Sequence, residues 1–161
     1  MCKIISVISC KGGVGKTTSA VNISSYMQMQ GKKVCAVDLD PQHNLSKHFG
    51  IHSGHLVERP TIYNLLNAAI EDTEDDMEKL VKESIIHSTT VDVIPSTAKL
   101  SALETVIPTA ICRERLLEYI YCVRHLLRQR GRRQPHHFPR HLLYPGRTQP
   151  FPYKEKGGIR R

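Results

Sequence analysis

No run of about 18 or more apolar residues occurs in these 161 residues, so a membrane-spanning helix is not expected. The N-terminus also lacks a basic segment followed by an apolar stretch and a small-residue cleavage site, which argues against a secretory leader. Both absences point to a soluble, cytoplasmic protein without a membrane partner. The five cysteines, Cys2, Cys10, Cys35, Cys112 and Cys122, form no C-x-x-C pair and read as reduced thiols. The nine histidines show no zinc-ligand spacing. The acidic run at 71–76 lacks the glycine of a calcium loop and reads as a solvated turn opening a helix. Tyr119, Tyr121, Phe138, Phe151 and Tyr153 are too sparse for a base-stacking platform.

What is present divides into two texts. The net charge of +8 suggests a nucleic-acid binder, but residues 1–120 carry 12 Lys+Arg against 14 Asp+Glu. Residues 121–161 carry 11 against 1, so the basic character lies entirely in the last quarter. Five of the nine prolines fall there as well, and no apolar period of 3.6 or 2.0 is sustained. Residues 121–161 are therefore expected to be a disordered Arg/Pro/His-rich tail.

Residues 1–120 read as alternating α/β. Ile4, Ile5, Val7 and Ile8 make a nearly continuous β-branched run over Lys3–Ser9, as in a parallel strand covered on both faces. Ala20, Ile23 and Met27 then recur at helical spacing, with Gly31 where a left-handed cap falls, giving a helix over 16–30. Lys33–Leu39 repeats the strand pattern and completes a βαβ unit, and Val91–Pro95 reads as a third short strand. Thr61 opens a helix over 61–70 with Ile62, Leu65, Leu66 and Ala69 on one face, and 100–106 and 111–120 read as further helices. The expected fold is a P-loop-type parallel sheet with flanking helices, incomplete because only its N-terminal half is recognisable.

Chemistry concentrates in Cys10-Lys11-Gly12-Gly13-Val14-Gly15-Lys16-Thr17-Thr18, between the first strand and its helix. The pattern G-x-x-x-x-G-K-[ST] is met except that Cys10 takes the first glycine place. Glycines let successive amides turn inward, and the helix N-terminus adds a positive dipole end, so the loop suits the phosphates of ATP with magnesium. Lys16 should reach the β- and γ-phosphates, the Thr17 hydroxyl should bind magnesium, and Thr18 is placed for the α-phosphate. Asp40, at the carboxyl end of the second strand, can orient or deprotonate an attacking water. Asp38 either supports that strand end or joins the magnesium shell.

Lys11–Thr18 resembles the deviant Walker A motif of the ParA/MinD family of partition and positioning ATPases, with Lys11 as its marking second lysine. The resemblance implies a homodimer on nucleotide binding in which Lys11 reaches the partner's phosphates. Val37-Asp38-Leu39-Asp40-Pro41-Gln42-His43-Asn44 is similar to the D-x-D-P-Q-x-N segment of the ParA branch, where the position of Asp40 handles the attacking water. Thr61–Leu66 and Val93–Ser96 resemble further segments of that branch. The likeness covers about residues 2–118 and implies a chromosome- or plasmid-partition role, a ParB-like partner protein, non-specific DNA and association with the nucleoid.

The departure is the second half. No aspartate follows Asp92, so a Walker B carboxylate is not supplied by the tail. The abrupt change near residue 121 is what a reading-frame shift or truncated gene produces, and weak or absent ATP hydrolysis is expected. The alternative is a non-enzymatic nucleotide-binding fragment, or a basic-tailed module that binds DNA by counterion release. A small-molecule kinase fits Lys11 and Asp40-Pro41-Gln42 less well. The basic-tail reading expects DNA binding by the full chain to fall steeply between 50 and 200 mM salt, by roughly tenfold or more. The same titration with a chain ending at residue 118 should show no binding.

Overall fold

The computed structural model describes residues 3–71 and 77–109. The expected helix over 111–120 and the basic tail lie outside the described residues. Among those described, the chain runs α1 (Lys16–Met29), β1 (Cys35–Val37), α2 (Asn44–His48), α3 (Ile62–Glu71), α4 (Met77–Ser84), β2 (Ile86–His87) and β3 (Asp92–Ile94). Short 3-10 turns at Ser53–Leu56, Ala98–Leu103 and Ile107–Thr109 complete it. The sheet has the order β1-β3-β2 and is mixed. β1 and β3 are parallel, with Ala36 opposite Val93, whereas β2 runs antiparallel to β3 with Ile86 opposite Val93. The antiparallel strand has no counterpart in the sequence expectation. Two residues are too short for a period, and Ser88 alone makes the turn, its hydroxyl donating to Val91 O at 2.7 Å and accepting from Val91 N at 3.2 Å.

Alternation of side chains across the strands builds two apolar layers. Cys35, Val37 and Ile94 face α3 and α4, where Ile62, Leu65, Leu66, Met77 and Val81, joined by Leu100 of the turn at Ala98–Leu103, close the larger core. Val34, Ala36 and Val93 face the opposite layer, closed by Phe49, Ile51 and Leu56. Helix α3 buries the face expected for it, although Ala69 is only partly buried and Ala68 more fully so. At its start the capping is reversed: Asn64 Oδ1 accepts from Thr61 N at 2.9 Å and from Thr61 Oγ1 at 3.2 Å. Asn64 thus takes the part of the acidic residue in a capping box.

Two expectations give way here. Segment 3–9 carries no strand; Ile5 is 57% and Ile8 85% exposed. A run apolar on both faces needs neighbours along both edges and cover on both sides, and the described residues supply neither. The βαβ unit therefore lacks its first strand, and the parallel pair is β1 with β3. The helix expected over 100–106 is 3-10 at Ala98–Leu103 instead, because Leu100 and Leu103, the two buried residues, repeat every three positions. Helix α1 forms where expected and ends in the expected cap: Gly31 lies at φ 71, with Gly31 N donating to Gln28 O and Lys32 N to Met27 O. Its expected core face is covered only in part, Ala20 and Met27 being half-buried. Ser24 is its one buried residue, and Ile23 is exposed. No helix among the described residues is long and apolar enough to cross a membrane.

The packing separates core from periphery by energy. Leu65→Ala should lower the unfolding free energy by about 2–5 kcal/mol in urea denaturation, whereas Ile8→Ala should change it by less than about 0.5 kcal/mol.

Candidate nucleotide site

The loop at 10–18 adopts the geometry that its glycines permit. Gly13 and Gly15 sit at φ 71 and φ 81, in the left-handed region that other side chains resist. No atom lies within 4 Å of where a Cβ would stand at Gly12, Gly13 or Gly15, so open space, not crowding, surrounds these positions, and at Gly13 and Gly15 it is the backbone conformation that calls for glycine. Gly15 is the N-cap of α1 and its carbonyl accepts from Ser19 N at 2.8 Å. No side chain caps the helix start and no acidic residue stands in its first turn. The amides of Lys16, Thr17 and Thr18 therefore point out of a 14-residue helix with the dipole's positive end behind them.

Both lysines are at the loop, in different postures. The Lys16 ammonium folds back to donate to Lys11 O at 3.0 Å. Lys11 N donates to Ser9 Oγ at 3.2 Å, and the residue itself is exposed. Thr17 is half-buried, Val14 and Thr18 are exposed, and Cys10 is an exposed free thiol.

Asp38 and Asp40 leave β1 in opposite senses. Asp38 is buried at 2% exposure. Its Oδ2 accepts from Ser46 N at 2.9 Å and Ser46 Oγ at 2.7 Å, and its Oδ1 accepts from Asp40 N at 3.1 Å. Ser46 Oγ in turn accepts from Ser96 N at 3.3 Å, after β3. Of the two roles open to Asp38, this geometry is that of strand-end support. Asp40 is half-buried, with Oδ1 accepting from Gln42 N at 2.9 Å and Oδ2 from Asn44 Nδ2 at 3.2 Å. His43, at φ 48, turns the chain between them. Helix α2, which this loop feeds, packs against α1, so the Asp40 loop and the glycine loop lie on touching elements. Ser46 escaped the sequence reading; its one signal was a small hydroxyl in the first turn of a helix just beyond the two aspartates.

A family model described as an AAA domain matches residues 2–124. The chain belongs to the ParA/MinD family. It is 35% identical over 114 residues to the sporulation initiation inhibitor protein Soj of Bacillus subtilis, covering 71% of this chain and 42% of that one. Among solved structures, cobyrinic acid a,c-diamide synthase of Mycobacterium smegmatis, crystallised with an ATP analog and magnesium, superposes at TM-score 0.60 with 25% identity. That match covers 71% of this chain and 43% of the synthase. A plasmid partition protein of Borrelia burgdorferi superposes at TM-score 0.55 with 26% identity, over 71% of this chain and 47% of that one. This ParA/MinD chain thus spans less than half the length of the proteins it matches.

The hydrogen bonds distinguish the two aspartates of this ParA/MinD chain by what their loss should do. Ser46→Ala removes one donor from a buried carboxylate and should cost about 1–3 kcal/mol of stability in thermal or urea unfolding. Asp40→Ala removes a half-buried group from a loop and should cost less than about 1 kcal/mol in the same measurement.

Proposed function

We propose that the chain binds Mg-ATP at residues 10–18 and is the nucleotide-binding half of a ParA-like partition ATPase. The observation that carries this reading is the uncapped start of α1 beneath a glycine loop in left-handed conformation, with the Lys16 ammonium already laid across it. Three donors of one kind converge there, main-chain amide, helix dipole and ammonium, and each favours a phosphate oxygen. Magnesium, when bound, neutralises charge on the phosphate oxygens. Thr17 is the residue placed to hold it through its hydroxyl.

Binding begins with a local exchange. The Lys16 ammonium gives up Lys11 O for phosphate, replacing a neutral acceptor by a charged one, and charge-assisted bonds are roughly twice as strong as neutral ones. Gly12, Gly13, Val14 and Gly15 wrap the phosphates with their amides, and Thr18 takes the α-phosphate. Lys11 is left exposed, as a lysine acting on a second subunit's phosphates must be. Asp40 holds an attacking water through its carboxylate, with Gln42 N and Asn44 Nδ2 fixing the carboxylate plane. We assign Asp38 to ordering that loop rather than to the metal. Within these 161 residues no aspartate follows Asp92, so we expect hydrolysis by them alone to be weak or absent. Dimerisation on nucleotide, a ParB-like partner, DNA and a nucleoid location belong to the same proposal and draw their support from the partition proteins among its relatives.

Calorimetry of the full chain with Mg-ATP should give a saturable heat. Lys16→Ala should weaken binding by at least about tenfold, or about 1.4 kcal/mol, without lowering the unfolding midpoint. A folded chain giving no heat with Mg-ATP overturns the reading.

A further inference from the structure

Among the described residues five lie at positive φ, and four of them are glycines: Gly13, Gly15, Gly31 and Gly50. The fifth is His43, at φ 48 and ψ 38. A side chain in the left-handed region is strained against its own backbone, and residues held that way cluster at sites that bind or react. The turn itself does not call for an imidazole. His43 N donates to Asp40 O at 2.8 Å, while Gln42 N and Asn44 Nδ2 reach the two oxygens of the Asp40 carboxylate. None of these bonds uses the His43 ring, so a glycine at 43 would make the same turn without strain.

The ring is also little used by the protein around it. Its one hydrogen-bonding contact among the described residues is Nδ1 to Pro41 O at 3.5 Å, long for such a bond. The neighbouring basic side chains are engaged more firmly: Lys47 Nζ donates to Gln42 O at 3.2 Å, and His48 Nδ1 lies 2.9 Å from Asn44 O. His43 is half-buried, so its ring is neither sealed in a core nor fully in solvent. Nε2 carries a proton in the imidazolium and in one neutral tautomer, and in either form it donates to an anionic oxygen. The place of the turn says which oxygen. On the proposed function Asp40 holds the water that attacks the terminal phosphate, so a donor on the same turn stands at the γ-phosphate end. The α- and β-phosphates fall to the glycine loop and the first turn of α1.

We propose that the His43 imidazole is a specificity residue of the nucleotide site, donating from Nε2 to the γ-phosphate and so favouring ATP over ADP, which lacks that acceptor. This rests on the Mg-ATP reading and adds to it a group outside the glycine loop.

Calorimetry of the full chain with Mg-ATP and with Mg-ADP tests it. His43→Gly and His43→Asn both remove the ring, and both residues accept a left-handed backbone, so the unfolding midpoint should hold or rise. Each variant should weaken Mg-ATP binding by at least about fivefold and change Mg-ADP binding by less than about twofold. A role confined to the shape of the turn would not separate the two nucleotides. Three results overturn the assignment while leaving the Mg-ATP reading in place: unchanged Mg-ATP affinity in both variants, equal loss for both nucleotides, or loss only in a variant whose unfolding midpoint falls. A wild-type chain that gives heat with neither nucleotide overturns the reading and the assignment together.

Discussion

The buried carboxylate of Asp38 is the junction on which the described structure depends. Its amide donates to Ile94 O at 3.0 Å, extending the parallel ladder past the end of β1. Its oxygens receive Asp40 N and both donors of Ser46, and Ser46 Oγ receives Ser96 N across 50 positions of sequence. Three chain segments, the end of β1, the start of α2 and the exit of β3, therefore meet at one charge. A carboxylate at 2% exposure is tolerable only because charge-assisted donors replace its water, and losing one leaves the rest to carry an under-solvated anion. Ile62 N donating to Pro95 O at 2.9 Å fastens α3 to the same strand exit, so the larger core hangs from this junction as well.

The same junction fixes Asp40. Two residues on from a held carboxylate, Asp40 has little backbone freedom, and its amide is itself one of the donors to Asp38. The turn that follows needs a left-handed residue, and His43 supplies it at φ 48, which costs a non-glycine residue roughly 1–2 kcal/mol. That cost is offset by the geometry it secures, with Gln42 N and Asn44 Nδ2 converging on opposite oxygens of Asp40. Asp38 is buried at the junction and Asp40 half-buried in the loop beyond it, and the two differ because β1 ends at Val37 and the chain turns before Asp40 can share the inward face of Asp38.

How much of this was legible depended on where the deciding interaction lay. The glycine loop, α1 with its Gly31 cap, β1, α3 and β3 were readable because their signals are local: backbone conformation, i to i+4 spacing, proline at a strand end. The strand at 3–9 was misread for the opposite reason. Its residue types are right for a buried strand, but burial is a property of neighbours, and composition cannot say whether those neighbours are present. The face of α1 is legible only in part: Ala20, Ile23 and Met27 at helical spacing show which side can be buried, and Ala20 and Met27 are half-buried while Ile23 stays exposed. Ser46 and the antiparallel β2 were invisible because each is defined by a partner far along the chain or by a two-residue pairing. The helix expected over 100–106 is a 3-10 turn at Ala98–Leu103 because its two buried leucines stand three apart, a spacing that one turn of an α-helix also allows.

One consequence joins the loop to the elements beside it. The amides that would bind phosphate belong to the first turn of α1, and the glycine loop is continuous with the exposed segment 3–9. These elements are held to the rest of the chain chiefly where α1 meets α2 and β1, with no apolar residue of the helix buried. Elements with so few buried contacts open at low free energy, and whatever orders them first does so at an entropic cost that the second ligand is spared. Phosphate at the helix start would therefore have to order α1 as well as bind its amides, and linkage requires that anything else ordering α1 raise phosphate affinity by the same factor. On the proposed function, nucleotide affinity would then depend on how firmly α1 is packed as well as on the loop.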